Sequence, residues 1–326
     1  MIISQTPFRV SFAGGGSDLP AYYGEHDGAV VSTAIDKYVY VTVSRKFDHA
    51  LRVSYSSTEE VESAAQLKHP IVREGMSMLG LKGGLEITSV ADIPSRGTGL
   101  GSSSSFAVGL MHALHAIEGR YVSAERLAEE ACRIEIEKCG EPIGKQDQYA
   151  AAYGGLNYIQ FLRDGSVHVE PIAMPRDIRE NWNNHFLMFY TGITRSASDI
   201  LAGQSKALSD KGQKAEAMHC MVALAKELRQ ELCQGNFDAM GRILHENWIL
   251  KQSLTEGITS GQINAWYQRA IEAGALGGKL LGAGGGGFLL FYAQPNVHAA
   301  VKNALPDLRS VPFSTEPRGS RIIFVK

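Results

Sequence analysis

The stretch PSRGTGLGSSSSF, from Pro94 to Phe106, decides how this 326-residue chain is organised. Alternating glycines precede a run of serines, and apolar side chains then follow at three- and four-residue steps. That periodicity predicts an amphipathic helix beginning near Ser102 or Ser103, which are both good N-cap residues. A glycine-rich loop that opens a helix presents unpaired backbone N–H groups at the positive end of the helix dipole. The stretch therefore predicts a phosphate-binding loop.

Other phosphate-binding motifs do not fit this stretch. A Walker A loop has a lysine after its last glycine, whereas Gly101 is followed by serine. A dinucleotide-binding fingerprint has the spacing G-x-G-x-x-G, and here the third glycine is misplaced. The alternative without a ligand is a flexible linker, but a linker is not normally followed at once by a periodic apolar helix. We therefore interpret the stretch as a phosphate loop of another type.

The composition indicates a globular enzyme. With 326 residues, of which 44% are hydrophobic, the chain can form the core of one large or two medium domains. A net charge of -2 shows none of the basic excess that nucleic acid or an anionic membrane would favour. The 4 cysteines form no CxxC pair and are interpreted as thiols of a reducing compartment. No secretion signal or membrane-length apolar run is found, so we expect a cytoplasmic location.

The pattern of strands and helices predicts an α+β protein with two domains. Short β-like runs are mixed with helix pairs instead of a regular βαβ repeat. A second helix is predicted over residues 123–139, and a hairpin over 154–174. The polar stretch PRDIRENWNN (175–184) interrupts the pattern. We place the domain boundary there, with an N-terminal domain of residues 1–178 and a C-terminal domain of 179–326.

Three further glycine-rich segments are predicted to meet the phosphate loop around one ligand. Glycine costs conformational entropy on folding, so this many glycine-rich turns are rarely used for connection alone. Arg9 and Asp18 flank the glycines of the first segment, Asp147 lies between glycines in the second, and Lys279 in the third is interpreted as a surface lysine. The segments are PFRVSFAGGGSDLPAYY (7–23), GKQDQYAAAYGG (144–155) and LGGKLLGAGGGGFLLF (276–291).

Together these four segments resemble the GHMP kinases, which include galactokinase, homoserine kinase and mevalonate kinase. PSRGTGLGSSSSF is similar to the family's P-x-x-x-G-L-G-S-S phosphate loop, and the other segments follow in the family's order over nearly the whole chain. The resemblance implies a ribosomal-protein-S5-like N-terminal domain, a ferredoxin-like C-terminal domain, and ATP with Mg²⁺ bound between them. The nucleotide-binding residues that it implies are Pro94, Gly97, Gly99, Leu100, Gly101, Ser102, Ser103, Ser104 and Ser105.

Within the family, the segments GGGSDLPAYY (14–23) and YTGITRSASDIL (190–201) resemble the bacterial heptose kinases and related fucokinase domains. Galactokinases instead carry Gly-Glu-His after the arginine segment. The resemblance implies phosphorylation of the anomeric C1 hydroxyl of D-glycero-D-manno-heptose 7-phosphate to the 1,7-bisphosphate, in GDP-heptose biosynthesis for bacterial capsule or surface polysaccharide. The alternatives are a fucokinase- or galactokinase-like sugar 1-kinase and, from another class, a non-catalytic sugar- or nucleotide-binding regulator.

Asp147 and Arg9 are the predicted catalytic residues. Phosphoryl transfer needs an oriented nucleophile and stabilised charge, and a carboxylate near a sugar hydroxyl can act as the general base. The resemblance assigns that role to Asp147, which matches the family's G-x-x-D motif. It places Arg9 of the P-x-R motif beside the transferred phosphoryl group, where it would also keep Asp147 ionised. Without a ligand, Asp147 could cap a turn and Arg9 could form a surface ion pair.

The magnesium ligands are predicted to be one serine and one carboxylate. Ser103 matches the family's serine ligand, and the carboxylate is Glu135 or Glu137. On an α-helix, Glu135 shares the face of the small residues Ala128 and Ala131, whereas Glu137 shares a polar face. A carboxylate on an inward face suggests a functional reason, which favours Glu135 without excluding Glu137.

The predicted substrate contacts come from several segments. Asp18 and Ser17 would bind sugar hydroxyls, although Asp18 could instead cap the following turn. Arg195 is a candidate for the 7-phosphate because guanidinium binds phosphate in a bidentate manner; Lys37, Arg45, Arg52, Lys145 and Arg318 compete with it. The full set is Gly15, Gly16, Ser17, Asp18, Thr191, Arg195, Gly284 and Gly285. The expected partners are therefore ATP and a sugar phosphate, with no nucleic acid or membrane, and a homo-oligomer stays open.

Overall fold

The computed structural model of the chain describes residues 1–93, 97–194, 197–209 and 212–326. Two β-sheets form within these ranges, and helices pack against both of them. Among the predicted site residues, Pro94 and Arg195 lie outside the described residues.

The first sheet is built around one long strand, β2, where the sequence left one or two strands open. Its last part alternates buried valines with partly exposed tyrosine and threonine, as expected for a strand with one covered face. The strand pairs with β1 along most of its length, with β6 at its start and with β5 at its end. The strands are β1 (Ile2–Ala13), β2 (Gly28–Arg45), β3 (Leu51–Ser54), β4 (Thr58–Val61), β5 (Leu85–Ala91), β6 (Leu156–Phe161), β7 (Val167–Pro171) and β12 (Arg321–Val325).

The end of the chain returns to the first sheet. The strand β12 pairs antiparallel with β1, and the backbone N–H of Lys326 donates to the carbonyl of Met1 at 2.9 Å. Helix α6 (Arg176–Asn183) spans the boundary placed between residues 178 and 179. The proposed domain limits, 1–178 and 179–326, stay a prediction.

The second sheet is antiparallel, with the order β11-β8-β10-β9. Its central strands are short apolar runs, and every residue of β10 is buried. Helix α9 (Ala239–Gln252) packs against β9 and β10, and these strands show no solvent-facing alternation. The strands are β8 (Phe186–Tyr190), β9 (Gly277–Leu280), β10 (Phe288–Tyr292) and β11 (Arg309–Ser310).

The helices confirm most of the sequence pattern. Helix α3 begins at Ser102 as predicted, but its N-cap is Gly101 and no side chain caps it, so the predicted serine cap is wrong. The second helix is present as α4 followed by a π-helical segment, Arg133–Lys138, and the predicted hairpin is formed by β6 and β7. The α-helices are α1 (Pro20–Tyr23), α2 (Pro70–Met78), α3 (Ser102–Ile117), α4 (Ala124–Cys132), α5 (Gln146–Tyr153), α6 (Arg176–Asn183), α7 (Ala197–Ser209), α8 (Gln213–Cys233), α9 (Ala239–Gln252), α10 (Gly261–Glu272) and α11 (His298–Ala304).

The two halves of the chain are in close contact. Helix α3 and helix α8 both pack against β1 and β2 of the first sheet, and α9 also contacts β1. Elements from late in the sequence therefore reach the strand that carries Arg9. Across the described ranges, no helix combines the length and the apolar character needed to cross a bilayer.

Candidate active site

A cavity of about 660 Å³ brings most of the predicted site residues together. The phosphate loop, the start of α3, the glycines after β1, the start of α5 and residues of α7 and α9 line it, and we call it the main cavity. Its size is typical of sites for small ligands. The predicted residues that line it are Arg9, Gly15, Gly16, Asp18, Gly97, Gly99, Gly101, Ser102, Ser103, Ser104, Glu135 and Asp147.

The phosphate loop has a backbone that requires its glycines. Gly97, Gly99 and Gly101 have φ values of 66°, 75° and 75°, which L-residues with a side chain rarely adopt. A Cβ atom on Gly99 would also lie 2.4 Å from the carbonyl oxygen of Leu281. Gly101 then leads into α3, whose first N–H groups are free of intrahelical partners. The loop therefore offers backbone donors to an anion at a close approach.

The last glycine-rich segment packs directly against the phosphate loop, as predicted. A Cβ atom on Gly282 would lie 2.3 Å from the Cα of Gly99, and one on Gly287 would lie 2.3 Å from the carbonyl oxygen of Thr98. Gly282 lines the main cavity together with Ala283. The backbones of the two segments thus touch because neither carries a side chain at the contact.

Arg9 and Asp147 form a bidentate ion pair at the main cavity. The Arg9 Nε and Nη2 atoms each donate to one carboxylate oxygen of Asp147 at 2.7 Å, and Nη1 donates to the carbonyl of Gly99 at 2.5 Å. The Arg9 side chain is 4% exposed and that of Asp147 is 23% exposed, so the carboxylate keeps access to the cavity. Asp147 lies in the first turn of α5, where the helix dipole favours a negative charge.

Glu135 is the buried member of the two candidate metal-binding carboxylates. It is fully buried and accepts hydrogen bonds from Ser103 Oγ at 2.6 Å and from Gln148 Nε2 at 2.7 Å. Burial raises the pKa of the Glu135 carboxyl to about 7, although its hydrogen bonds favour the ionised form. Glu137 is 67% exposed and lies 3.7 Å from the Arg133 guanidinium. Only Glu135 is therefore placed to act together with Ser103.

Comparison with known proteins shows which family the chain belongs to. The GHMP kinases N terminal domain family matches residues 61–155, and the GHMP kinases C terminal family matches residues 228–308. The D-glycero-alpha-D-manno-heptose 7-phosphate kinase of Campylobacter jejuni is 30% identical over 309 residues, which cover 90% of each chain. The chain belongs to the GHMP kinases. It is accordingly an enzyme that transfers a phosphoryl group to an alcohol acceptor, and kinases of this family use ATP.

Two further relatives of this GHMP kinase support the fold. A galactokinase of Pyrococcus furiosus is 27% identical over 308 residues, covering 81% of this chain and 84% of that protein. The crystal structure of a D-glycero-D-manno-heptose 1-phosphate kinase from Bacteroides thetaiotaomicron has a TM-score of 0.81, 26% identity and full coverage of both chains. The predicted two-domain GHMP kinase fold with mixed helices and sheets is confirmed.

The donor set of this kinase fits a magnesium ion. Mg²⁺ prefers oxygen ligands and keeps several waters, so one carboxylate and one hydroxyl with phosphate oxygens suffice. Within the described residues Glu135 has no cationic partner, although burial of an unpaired carboxylate is costly. No cluster of three or more histidine, cysteine or acidic side chains suited to a metal is found in that part of the chain. Ser103 and Glu135 are therefore the residues that would hold the ion.

We expect Glu135→Gln to stabilise the metal-free kinase at alkaline pH. The folded pKa of about 7 lies above the ordinary value of 4.5, so the folded state binds more protons between these values. The carboxyl therefore destabilises it increasingly as pH rises from about 4.5 to 7, and the effect levels off above 7. Glutamine removes that charge, and Gln148 can rotate its amide to complement it, because its Oε1 has no partner among the described residues. The gain should be on the order of 1–3 kcal/mol at pH 8.

Denaturant unfolding in a chelator at pH 5 and pH 8 measures this effect. The difference in free energy of unfolding between Glu135→Gln and wild type should grow from pH 5 to pH 8, and the exposed Glu137→Gln should show no such growth. A variant that is destabilised equally at both pH values would contradict this account of Glu135. Kinase activity should fall in the same variant, since a neutral amide is a poor magnesium ligand.

Asp18 ties the first glycine-rich segment to the start of α5. Its Oδ1 accepts from the Gly16 N–H and from Gln146 Nε2, each at 3.0 Å, and its Oδ2 accepts from the Gln146 N–H at 3.2 Å. Burial raises the pKa of Asp18, and the nearby charge of Asp147 adds to the shift. No side chain caps α1, so the alternative role of Asp18 as a cap is wrong.

Two predicted nucleotide-binding residues, Leu100 and Ser105, attach the phosphate loop and α3 to the first sheet and do not line the main cavity. Leu100 is fully buried, and its carbonyl accepts from the Arg9 N–H at 3.1 Å. Ser105 is also fully buried, and its hydroxyl donates to the carbonyl of Pro7 at 2.9 Å. Both residues therefore attach the phosphate loop and α3 to β1, and neither lines the main cavity.

Several predicted substrate-binding residues also do not line the main cavity. The Ser17 hydroxyl bonds to the backbone of Ala29, accepting at 3.0 Å and donating at 3.1 Å. The Thr191 hydroxyl donates to the carbonyl of Gly287 at 2.8 Å, and residues 192–194 after it are not helical. The remaining predicted glycines, Gly284 and Gly285, pack against the backbone of Ile258. In the structure as described, none of these four side chains or glycines lines the main cavity.

The cavity also contains residues that sequence reasoning missed. Gln146 and Gln204 line it, and each has one buried amide atom without a partner in the described part of the chain. Lys251 lines it too, and its position on the apolar face of LHENWILKQ was a signal that could have been used. Lys279 is 1% exposed and donates to the carbonyl of Phe12 at 3.0 Å, so its interpretation as a surface lysine is wrong.

A second cavity of about 820 Å³ adjoins the first at Ser102 and Ser103. Aromatic and apolar side chains form part of its wall, including Tyr55, Phe106 and Ile93. The ring of His69 lies between those of Tyr55 and Phe106, at centroid distances of 4.6 and 5.2 Å. The start of α3 thus lies between the main cavity and a second cavity whose wall includes aromatic rings.

Proposed function

We propose that this GHMP kinase transfers the γ-phosphoryl group of ATP to the C1 hydroxyl of D-glycero-D-manno-heptose 7-phosphate. The product would be the 1,7-bisphosphate, used for GDP-heptose and bacterial surface polysaccharide. The observation that carries the proposal is the Arg9–Asp147 ion pair, which lies beside the phosphate loop at a cavity large enough for a sugar. The heptose 7-phosphate kinase named among the relatives supports the choice of sugar.

The nucleotide is proposed to lie across the start of α3. Backbone N–H groups after Gly97 would bind the phosphates, and the second cavity would take the base, because the two cavities meet at Ser102 and Ser103. Ser103 and Glu135 would hold Mg²⁺, which when bound neutralises phosphate charge and favours its transfer. This arrangement would leave the γ-phosphoryl group beside Arg9.

The acceptor sugar is proposed to occupy the polar part of the main cavity. Asp18 lies there, and so do the amide groups of Gln146 and Gln204. In the described residues Gln146 Oε1 and Gln204 Nε2 are buried without a hydrogen-bond partner. Buried unpaired polar atoms cost free energy unless a ligand satisfies them, so these amides are suited to sugar hydroxyls.

In the phosphoryl transfer, Asp147 acts on the C1 hydroxyl of the acceptor. Its carboxylate orients the C1 hydroxyl and accepts the proton as the new oxygen–phosphorus bond forms and the bond to the leaving ADP oxygen breaks. Arg9 binds the developing negative charge on the phosphoryl oxygens, and in the free enzyme it holds the carboxylate through two hydrogen bonds. An anomeric hydroxyl is more acidic than other sugar hydroxyls, so a carboxylate is a sufficient base.

A panel of acceptors tests this function. ADP release is measured with ATP, Mg²⁺ and either heptose 7-phosphate, heptose 1-phosphate, fucose or galactose, and phosphorus NMR locates the new phosphate. We expect the highest kcat/KM with heptose 7-phosphate and a new anomeric phosphate. The heptose 1-phosphate arm matters because one relative is named for that compound.

Each of the other possible results of the acceptor panel would reject a different part of the proposed function. A preference for fucose or galactose would reject the proposed sugar and favour the related sugar 1-kinase. A preference for heptose 1-phosphate would reject the C1 hydroxyl as acceptor. Absence of turnover with every sugar, together with retained ATP binding, would instead favour a non-catalytic regulator.

A further inference from the structure

Lys251 is a buried lysine that the mechanism above does not use. It lies near the end of α9, its side chain is 4% exposed, and it lines the main cavity. Its ammonium donates to the carbonyl of Gly282. One turn earlier on the same helix, the Asn247 side chain accepts from the Gly14 N–H at 3.0 Å. The inward face of α9 therefore touches two of the glycine-rich segments.

Among the described residues, Lys251 differs from the other basic residue that lines the main cavity in how many of its N–H donors are used. Arg9 and Lys251 are the only basic residues among the cavity's described lining residues. The three nitrogens of the Arg9 guanidinium all donate to Asp147 or to the carbonyl of Gly99. An ammonium has three N–H donors, and within the described residues Lys251 uses one of them, with no ion pair.

The position of the amine indicates which ligand group it can reach. Gly282, whose carbonyl accepts from Lys251, is in backbone contact with Gly99 of the phosphate loop. Gly99 in turn accepts from Arg9. Lys251 and Arg9 are thus bound to neighbouring backbone carbonyls, and both line the main cavity beside the phosphate loop.

We propose that Lys251 is a catalytic residue whose ammonium binds an oxygen of the phosphoryl group during its transfer. This deepens the proposed function and rests only on its use of ATP, not on the identity of the sugar. The negative charge in a phosphoryl-transfer transition state is spread over the equatorial oxygens, so a second cation beside Arg9 stabilises it. Lys251 neither gives nor takes a proton; the acceptor's proton still passes to Asp147, and ADP leaves as before.

The burial of the Lys251 ammonium agrees with a role in binding a negatively charged ligand. Loss of solvation, and to a smaller extent the charge of Arg9, lower the pKa of Lys251 to about 8, whereas Asp18 and Asp147 oppose the shift. A buried ammonium with one hydrogen bond is poorly stabilised, and an oxyanion ligand would supply what it lacks. Lys279 is buried as well but does not line the cavity, so it lacks this access.

The test compares ligands that differ in the γ-phosphate. Lys251→Met keeps the length of the side chain without its charge, and Lys251→Arg keeps the charge. Affinities for ADP and for AMPPNP, both with Mg²⁺, are measured without sugar by calorimetry, and kcat is measured with sugar and saturating ATP. For Lys251→Met we expect roughly tenfold weaker AMPPNP binding with ADP binding unchanged, and a kcat roughly 10–100-fold lower. Lys251→Arg should retain most of both.

Lys279→Met is the matched control, because it removes a buried lysine that lies outside the cavity and should leave the AMPPNP-to-ADP affinity ratio unchanged. If Lys251→Met does not fold, Lys251→Gln carries the same comparison. Equal loss of ADP and AMPPNP affinity would show that the lysine only positions the Gly282 loop, and would overturn the proposal. A raised KM for the sugar phosphate with unchanged nucleotide binding and kcat would place Lys251 on the acceptor's own phosphate and would overturn it too. The nucleotide arms stay readable even if the proposed sugar is rejected.

Discussion

Replacing Asp147 by asparagine should lower kcat by roughly two to four orders of magnitude, the usual effect of losing a general base. Asparagine has nearly the shape of aspartate but accepts no proton at neutral pH. The substitution also removes one half of the ion pair with Arg9, whose guanidinium would keep the contact with the carbonyl of Gly99. ATP binding should stay nearly intact, because the backbone of the phosphate loop does not depend on this carboxylate.

Steady-state kinetics with saturating ATP and sugar measure the loss, and AMPPNP titration measures nucleotide binding. Asp164→Asn is a matched control, since Asp164 is an exposed aspartate whose hydrogen bonds, in the described part of the chain, are to Ser166 of its own turn. It should have wild-type kcat. If Asp147→Asn kept its turnover, positioning of the substrate would drive the chemistry and the assignment of a general base would be wrong.

Replacing Arg9 by methionine should lower kcat by roughly three orders of magnitude or more, the scale seen for arginines that stabilise phosphoryl transfer. The loss has two physical causes. The transferred group would lose a positive charge, and Asp147 would lose the two hydrogen bonds that orient its carboxylate. Arg9→Lys should recover part of kcat, because lysine restores the charge but not the bidentate contact.

The double variant Arg9→Met/Asp147→Asn separates these causes. If the arginine acts partly by orienting Asp147, the double variant should lose less activity than the product of the two single losses. A thermal melt of each variant checks that the fold is retained. An Arg9→Met enzyme with unchanged kcat and only a raised KM for ATP would show that Arg9 binds the ground state alone, contrary to the proposed role.

Local backbone chemistry made the phosphate loop predictable. Alternating glycines at 97, 99 and 101 followed by a periodic apolar run predicted both the loop and the start of α3, and the structure has positive φ at each of these glycines. The β character of β2 and the hairpin of β6 and β7 were visible for the same reason, although the sequence left open whether β2 is one strand or two. In each case the deciding interactions lie within a few residues of one another.

The choice between Glu135 and Glu137 shows the limit of such reasoning. The sequence argument assumed an α-helix, but Glu135 lies in the π-helical segment Arg133–Lys138, a type of segment that is frequent at functional sites. Its burial and its hydrogen bond with Ser103 depend on the packing of α3 against that segment. Periodicity favoured the better-placed residue without describing the actual helix.

The burial and contacts of the site's serines and lysines could be assigned only from the tertiary structure. Ser103 faces the cavity, while Ser105, two positions later, is used to attach α3 to β1. Lys279 was interpreted as a surface lysine and Lys251 was not singled out from the sequence, yet both are buried near Arg9. Their positions depend on segments more than two hundred residues apart along the chain, such as the contact between Lys279 and Phe12.

The sequence by itself determined the phosphate loop and the order of the glycine-rich segments, because glycine conformation and helix periodicity are local properties. The candidate catalytic residues were implied by the resemblance to the GHMP kinases. Only the tertiary structure decided which side chains share the main cavity and which support it from behind. The physical reason is that burial of a charge, and the pKa that results from it, depend on whatever the rest of the chain places around that charge.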